Sequence, residues 1–319
     1  MTSHSAPSLT PLARKDLLSI AALSRDEIEM LFNTTRQMKE NVGPFSAALA
    51  GLSVILLFEK ASLRTRISFE VGVHRLGGQA IYMDHSHSRL GERESVPDYG
   101  RNLERWVHGI VARVYKHQTV AELAANTSIP VINGLCDLHH PCQALADFFT
   151  LQEHFGDLSG IKLAWIGDGN NVCHSLMHAA ALLGVDMTAI TPKGYEPSKA
   201  IVDEAKRLAA VSGAKIALSA DPAAVANHHA VYTDVWTSMG QEAEKEKRIN
   251  AFKPYQVNAA LIKKAAKDAV FMHCLPAKRG LEVTDDVIDS PQSIVLDQAE
   301  NRMHAQNALL LHTVAAHTS

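Results

Sequence analysis

The chain has 319 residues, 46% of them hydrophobic, 20% charged and 6% aromatic, with a formal net charge of −3. That composition fits a globular protein of about two domains and excludes collagen-like, fibrous and disordered classes. Charge does not collect in blocks, so nucleic acid is not an expected partner. The most apolar run, Val54–Phe58, is far short of the ~20 residues that span a bilayer, so no membrane insertion is expected.

The amino terminus, up to about Pro11, reads as a frayed tail without the apolar stretch of a signal peptide. Cys136, Cys142, Cys173 and Cys274 show no C-x-x-C pair or disulfide spacing, which fits reduced thiols and a cytoplasmic protein.

Short β-branched runs alternate with helical periodicity. This predicts an α/β fold of two domains, each a mostly parallel sheet flanked by helices. The first domain, residues 1–155, is expected to hold strands at Ser53–Phe58, Gln79–Met83, Ile110–Val114 and Pro130–Asn133. Helices are expected near Leu63–Leu76, Val96–Val107 and Val120–Ala125, with a long one at about Pro141–His154. The turn-rich Gly156-Asp157-Leu158-Ser159-Gly160 opens the second domain, residues 156–298. Its expected strands are Lys162–Ile166, Met187–Ile190, Ile216–Ser219, Ala230–Thr233 and Val270–His273, with helices near Ser198–Val211 and Ala259–Ala266. A last helix, about Ala299–His317 within residues 299–319, has enough apolar surface to pack back on another element.

Five segments carry candidate chemistry. Ser62-Leu63-Arg64-Thr65-Arg66 sits where a buried strand turns into a helix. Ser62 is a natural N-cap, and the free first-turn N–H groups with Arg64 and Thr65 form a donor set suited to phosphate. An ordinary capped helix start explains the same residues equally well. In His139-His140-Pro141-Cys142-Gln143, proline at the first helical position puts His140 at a positive helix end, where its imidazole tends to stay neutral. A simple cap is the alternative.

Gly167-Asp168-Gly169-Asn170-Asn171 follows a strand like a dinucleotide fingerprint, but Val172 occupies the third glycine position. Asn170 and Asn171 remain candidates for holding a small polar ligand at the strand end. Asp234, ahead of Ser238-Met239-Gly240, is suited to a ligand ammonium, or marks a plain strand-to-helix turn. Cys274, in His273-Cys274-Leu275-Pro276, lies at another strand end; a buried cysteine is ordinarily a small hydrophobe. Seventeen histidines include no H-E-x-x-H and no zinc-type spacing, so no metal is expected.

In this order and at these separations, the five segments resemble the ornithine carbamoyltransferases, a branch of the transcarbamylase family, from about Asp16 to His317. The family's Ser-x-Arg-Thr-Arg and His-Pro-x-Gln motifs are matched by Ser62–Arg66 and His140–Gln143, with Arg113 as the basic residue between them. Asp234–Gly240 and His273–Pro276 match the Asp-x-x-x-Ser-Met-Gly and His-Cys-Leu-Pro motifs of the ornithine branch. Aspartate carbamoyltransferases have His-Pro-Leu-Pro instead, and both they and putrescine carbamoyltransferases lack Ser-Met-Gly. Two residues depart from the usual pattern: Leu63 stands in place of threonine, and Arg89 in place of glutamine or histidine.

The resemblance implies carbamoyl transfer from carbamoyl phosphate to the δ-amine of L-ornithine, giving L-citrulline and phosphate by direct attack without cofactor or covalent intermediate. The setting would be arginine biosynthesis or breakdown, in a homotrimer or a multiple of trimers whose last helix returns to the first domain. Ser62, Leu63, Arg64, Thr65 and Arg113 would hold the phosphate, with Arg89 reaching the site of an adjacent subunit. Thr65, Arg113, His140 and Gln143 would surround the carbonyl oxygen, while Arg302, Cys274 and Leu275 complete the carbamoyl phosphate site. Asn171, Asp234, Ser238 and Met239 would hold ornithine. Arg113, His140, Asp234 and Cys274 would act in catalysis.

Two rival readings are a thiol hydrolase using Cys274 with His273, and a binding homologue without activity. Strand neighbours point to opposite faces, which places that thiol and imidazole badly for nucleophile and base.

Overall fold

A computed structural model describes residues 9–237 and 242–318. The chain divides into two compact units, one formed by residues through Phe149 together with those from Asn301 onward, the other by Thr150–Glu300.

In the first unit, β1 (Ser53–Phe58), β2 (Gln79–Asp84), β3 (Gly109–Arg113) and β4 (Val131–Leu135) form a parallel sheet in the order β2-β1-β3-β4. Central strands β1 and β3 are apolar and buried almost throughout, as strands covered on both faces must be. Phe58 pairs with Arg113, so the polar residues that follow β1 emerge beside the end of β3. The register between β3 and β4 skips Gly134, giving a bulge next to Arg113.

Helix α1 (Arg25–Glu40) was not among the expected elements. It starts with a capping box between Ser24 and Glu27 and buries Ile28, Leu31, Phe32 and Met38. The remaining helices are α2 (Leu63–Arg75), α3 (Val96–Leu103), α4 (His117–Ala125) and α5 (Pro141–Phe155). Helix α3 stops short of the expected Val107, and the next residue, Glu104, accepts the Ser128 backbone N–H at 2.7 Å.

In the second unit, β5 (Lys162–Ile166), β6 (Asp186–Ile190), β7 (Ile216–Ser219), β8 (Ala230–Thr233) and β9 (Val270–His273) form a parallel sheet in the order β7-β6-β5-β8-β9. Around it lie α6 (Asn171–Leu183), α7 (Lys199–Ser212), α8 (Lys245–Phe252), α9 (Ala259–Ile262) and α10 (Asp285–Ile288). Strand order reverses at β5 and β8, and the loops after these strands carry Gly167–Asn171 and Asp234. Such a switch point is where open α/β sheets bind ligands.

Helix α11 (Val295–Leu310) runs into a π-helical turn, Leu311–Ala315. From Asn301 on it packs into the first unit, so closely that a Cβ on Gly72 of α2 would lie 2.0 Å from Asn307 Oδ1. Buried His312 fastens it: Nδ1 donates to the Thr10 carbonyl at 2.6 Å, and Nε2 accepts the Thr34 hydroxyl at 2.8 Å.

Candidate active site

In the first unit, Ser62 caps α2 by accepting the Thr65 backbone N–H at 3.3 Å. Leu63, the first helical residue, is 73% exposed, so that position offers a polar site only its N–H. Arg64 is half-buried and Thr65 fully buried. Three donors converge on Thr65 Oγ1: Ser62 Oγ at 3.1 Å, Arg302 Nη2 at 2.8 Å and Arg113 Nη1 at 3.4 Å.

Arg302 is held as a fork. Its Nη1 donates to Gln143 Oε1 at 2.7 Å and its Nε to Gln306 Oε1 at 3.1 Å, while Gln143 Nε2 donates to Asp147 Oδ1 at 2.8 Å. Beside them His140 is buried just before Pro141, the first residue of α5. Burial, then the charges of Arg302 and Arg113, hold its imidazole well below the usual range, so it is neutral at pH 7. Two guanidiniums, a neutral imidazole and the first-turn N–H groups of α2 make a donor-rich site of positive potential.

Arg89 lies in the loop after β2, with its guanidinium carbon 4.3 Å from the centre of the Tyr115 ring. Lys60 Nζ lies 4.4 Å from the same centre, and burial, then Arg113, lower the Lys60 pKa.

In the second unit, β5 runs into Gly167-Asp168-Gly169-Asn170. A Cβ on Gly169 would meet the Pro197 nitrogen at 2.2 Å, so this glycine serves a close backbone approach. Asn170 caps α6, accepting from Val172 N at 3.0 Å and Cys173 N at 3.1 Å, and its Nδ2 donates to Asp234 Oδ2 at 2.9 Å. The other oxygen of Asp234 accepts from its neighbour's N–H, Val235 N, at 2.7 Å and from Cys274 Sγ at 3.1 Å. The carboxylate is therefore aimed from three sides. Asn171 is the first residue of α6 and half-buried. Ser238 and Met239 lie outside the described residues.

His273 and Cys274 take different hydrogen-bond partners. The His273 Nδ1 accepts the Leu275 backbone N–H at 2.8 Å, and its Nε2 lies 3.4 Å from Glu282 Oε1 in a fully buried pair. Leu275 itself takes a left-handed φ of 56°, uncommon for any residue but glycine. Ligating atoms of Asp234, His273 and Cys274 lie within 4.8 Å of one another, a grouping the sequence spacing did not reveal. With His273 Nδ1 and the Cys274 thiol both engaged in hydrogen bonds, the trio forms a polar network around Asp234.

Sequence reasoning also missed Arg248 of α8. Its Nη2 pairs with Asp168, its Nε donates to the Trp236 carbonyl at 2.6 Å, and its side chain is 4% exposed. It thereby ties the loop after β5 to the loop after β8. Burial pushes the Asp168 carboxyl up to about 6, with Arg248 opposing the shift.

Residues 15–153 match the carbamoyl-P binding domain of aspartate/ornithine carbamoyltransferase, and residues 159–313 its Asp/Orn binding domain. The chain belongs to the aspartate/ornithine carbamoyltransferase family. Among its family relatives, the ornithine carbamoyltransferase of Shewanella oneidensis is 50% identical over 297 residues, covering 93% of this chain and 98% of that one. A Pyrococcus furiosus protein named ornithine carbamoyltransferase, anabolic, is 49% identical over 302 residues, covering 94% and 96%. The solved ornithine carbamoyltransferase of Pyrococcus furiosus superposes with a TM-score of 0.91 at 48% identity, covering 94% of this chain and 96% of that chain. An N-acetyl-L-ornithine transcarbamylase structure superposes at 0.86 with 31% identity, covering 94% and 100%.

Proposed function

We propose that this family member is an ornithine carbamoyltransferase, converting carbamoyl phosphate and L-ornithine into L-citrulline and phosphate. The observation that carries this reading is the convergence of Arg302, Arg113 and Ser62 on Thr65 beside a neutral His140. The shared names of relatives about half identical over nearly the whole chain support it.

On this reading the phosphate group of carbamoyl phosphate takes the N–H groups of Leu63 and Arg64 and the guanidiniums of Arg64 and Arg113. Arg113, His140, Gln143 and Thr65 surround the carbonyl oxygen, with Arg302 behind Thr65 and Gln143. Positive charge and N–H donors there stabilise the negative charge that builds on the oxygen as the tetrahedral intermediate forms. His140, being neutral, donates without adding a charge to be desolvated.

Asp234 receives the amino-acid end of ornithine together with Asn171, Ser238 and Met239, and Cys274 and Leu275 border the reacting groups. The δ-amine attacks as its neutral form, forming the new C–N bond. Collapse of the intermediate breaks the C–O bond to phosphate, which leaves carrying the amine's proton. Orienting two bound substrates contributes ~7–11 kcal/mol in favourable cases.

We further propose a homotrimer, or a multiple of trimers. Leu63, Ile67 and Val71 form an exposed apolar stripe on α2, and Ile81 and Met83 extend it onto the edge strand β2. Such a patch calls for cover by a second copy. Arg89 would then serve the phosphate site of an adjacent copy. The four free cysteines suit a reducing compartment, and we place the enzyme in the cytoplasm.

A panel of ornithine, N-acetylornithine, putrescine and aspartate, each with carbamoyl phosphate, tests the substrate. Turnover of ornithine at least about 100-fold above the others is expected from the charged pocket at Asp234. Preference for putrescine or aspartate would refute it.

A further inference from the structure

Glu59 ends the apolar run of β1 as a carboxylate only 3% exposed. Burying such a group is costly unless its oxygens are satisfied. One oxygen accepts the Leu90 backbone N–H at 3.0 Å, and the other accepts the Tyr115 backbone N–H at 2.7 Å. The Glu59 backbone N–H in turn donates to the Arg113 carbonyl at 2.9 Å. Leu90 directly follows Arg89, and Tyr115 carries the ring on which the Arg89 guanidinium rests. The two N–H groups thus flank the two halves of one stack, brought together from the loops after β2 and β3 on either side of β1.

We infer that Glu59 is a positioning residue for carbamoyl phosphate binding, a clip that holds Arg89 against Tyr115 and so presents its guanidinium to the phosphate bound by an adjacent copy. The inference rests on the proposed carbamoyl phosphate site. A carboxylate fits the role because both its oxygens only accept, whereas glutamine would turn an NH₂ group toward one of two N–H donors. The loss should fall on the anion, since the two N–H groups that Glu59 accepts flank the stack that holds Arg89.

The test is Glu59→Gln in the full-length protein, alone and combined with Arg89→Ala, with carbamoyl phosphate affinity read by calorimetry. Losing one charge-assisted bond should weaken that affinity about tenfold, with the KM for ornithine at saturating carbamoyl phosphate within about twofold of wild type. In the Arg89→Ala background the same substitution should cost less than about threefold. Wild-type affinity in the single variant, or equal losses in both backgrounds, would overturn the inference. A wild-type protein that binds no carbamoyl phosphate would refute the site, leaving the clip to be judged by hydrogen exchange. Leu90 and Tyr115 amides should exchange slowly in substrate-free wild type, and fast exchange at both would overturn the clip even if the variant failed to fold.

Discussion

Arg302 Nη2 donates to Thr65 Oγ1 across 2.8 Å, binding α11 to the first turn of α2 although 237 positions separate the two residues. The same guanidinium grips Gln143 and Gln306, so one side chain fixes the hydroxyl and amide groups of three helical segments. A planar fork can do this; an ammonium cannot. Arg302→Lys should therefore reduce kcat/KM for carbamoyl phosphate at least ~100-fold, or about 2.7 kcal/mol of transition-state stabilisation. Steady-state kinetics check this, and a variant within about threefold of wild type would show that the fork is dispensable.

Asp234 is aimed by Asn170, Val235 and Cys274, all donors to its carboxylate. Asp234→Asn keeps the shape but replaces one acceptor oxygen with an NH₂ group and removes the charge that would meet an ammonium. We predict loss of ornithine turnover by at least ~1000-fold, about 4 kcal/mol, with carbamoyl phosphate affinity preserved in calorimetry. Loss of both would make Asp234 a structural residue.

Arg248 and Asp168 give a pH-dependent prediction. The Asp168 carboxyl is raised to about 6 even with Arg248 beside it, because burial dominates. Removing the guanidinium with Arg248→Met strands an ionised buried carboxylate at pH 8, at a cost of about 3 kcal/mol. At pH 5 Asp168 takes up a proton and needs no counter-charge, so the loss should shrink. Urea unfolding at both pH values reads the difference, and equal losses would contradict the assignment.

Acid stability follows from buried neutral histidines. Burial lowers the pKa of His140 and His312, and that of His178 to about 4. Their folded values lie below the ordinary 6.5, so the unfolded chain binds more protons as pH falls through 6.5. Stability should drop between pH 7 and pH 5 by about 1.4 kcal/mol per pH unit for each proton taken up on unfolding. Asp168 runs the other way, its raised folded value favouring the native state as pH falls from 6 toward 4. Denaturation midpoints should nevertheless decrease in acid, and His178→Gln should flatten the trend. A rising midpoint would mean that the histidines are not neutral in the fold.

The sheets were legible because β1, β3, β5 and β8 are short, continuous apolar runs ending at polar motifs. Ser62, Thr65, His140 and Asp234 could be singled out because each stands where a strand or loop gives way to a helix or turn. Helix α1 was missed although its capping box and its Ile28, Leu31 and Phe32 spacing are written in the chain. Glu59, Arg248 and Glu282 could not be read this way. Glu59 meets partners 31 and 56 positions away, and Arg248 meets Asp168 from 80 positions away, distances at which no local periodicity operates. Asn170 stood out as a candidate for holding a polar ligand, whereas in the fold it caps α6 and donates to Asp234, a partner that only the fold brings alongside it.

The most direct measurement follows an isotopic label in the carbonyl carbon of carbamoyl phosphate by NMR, with L-ornithine present and the protein's mass recorded at intervals. The label should pass into the ureido carbon of citrulline in step with phosphate release, while Cys274 stays unmodified. Label recovered as bicarbonate, a mass increase on Cys274, or no consumption of carbamoyl phosphate would contradict it.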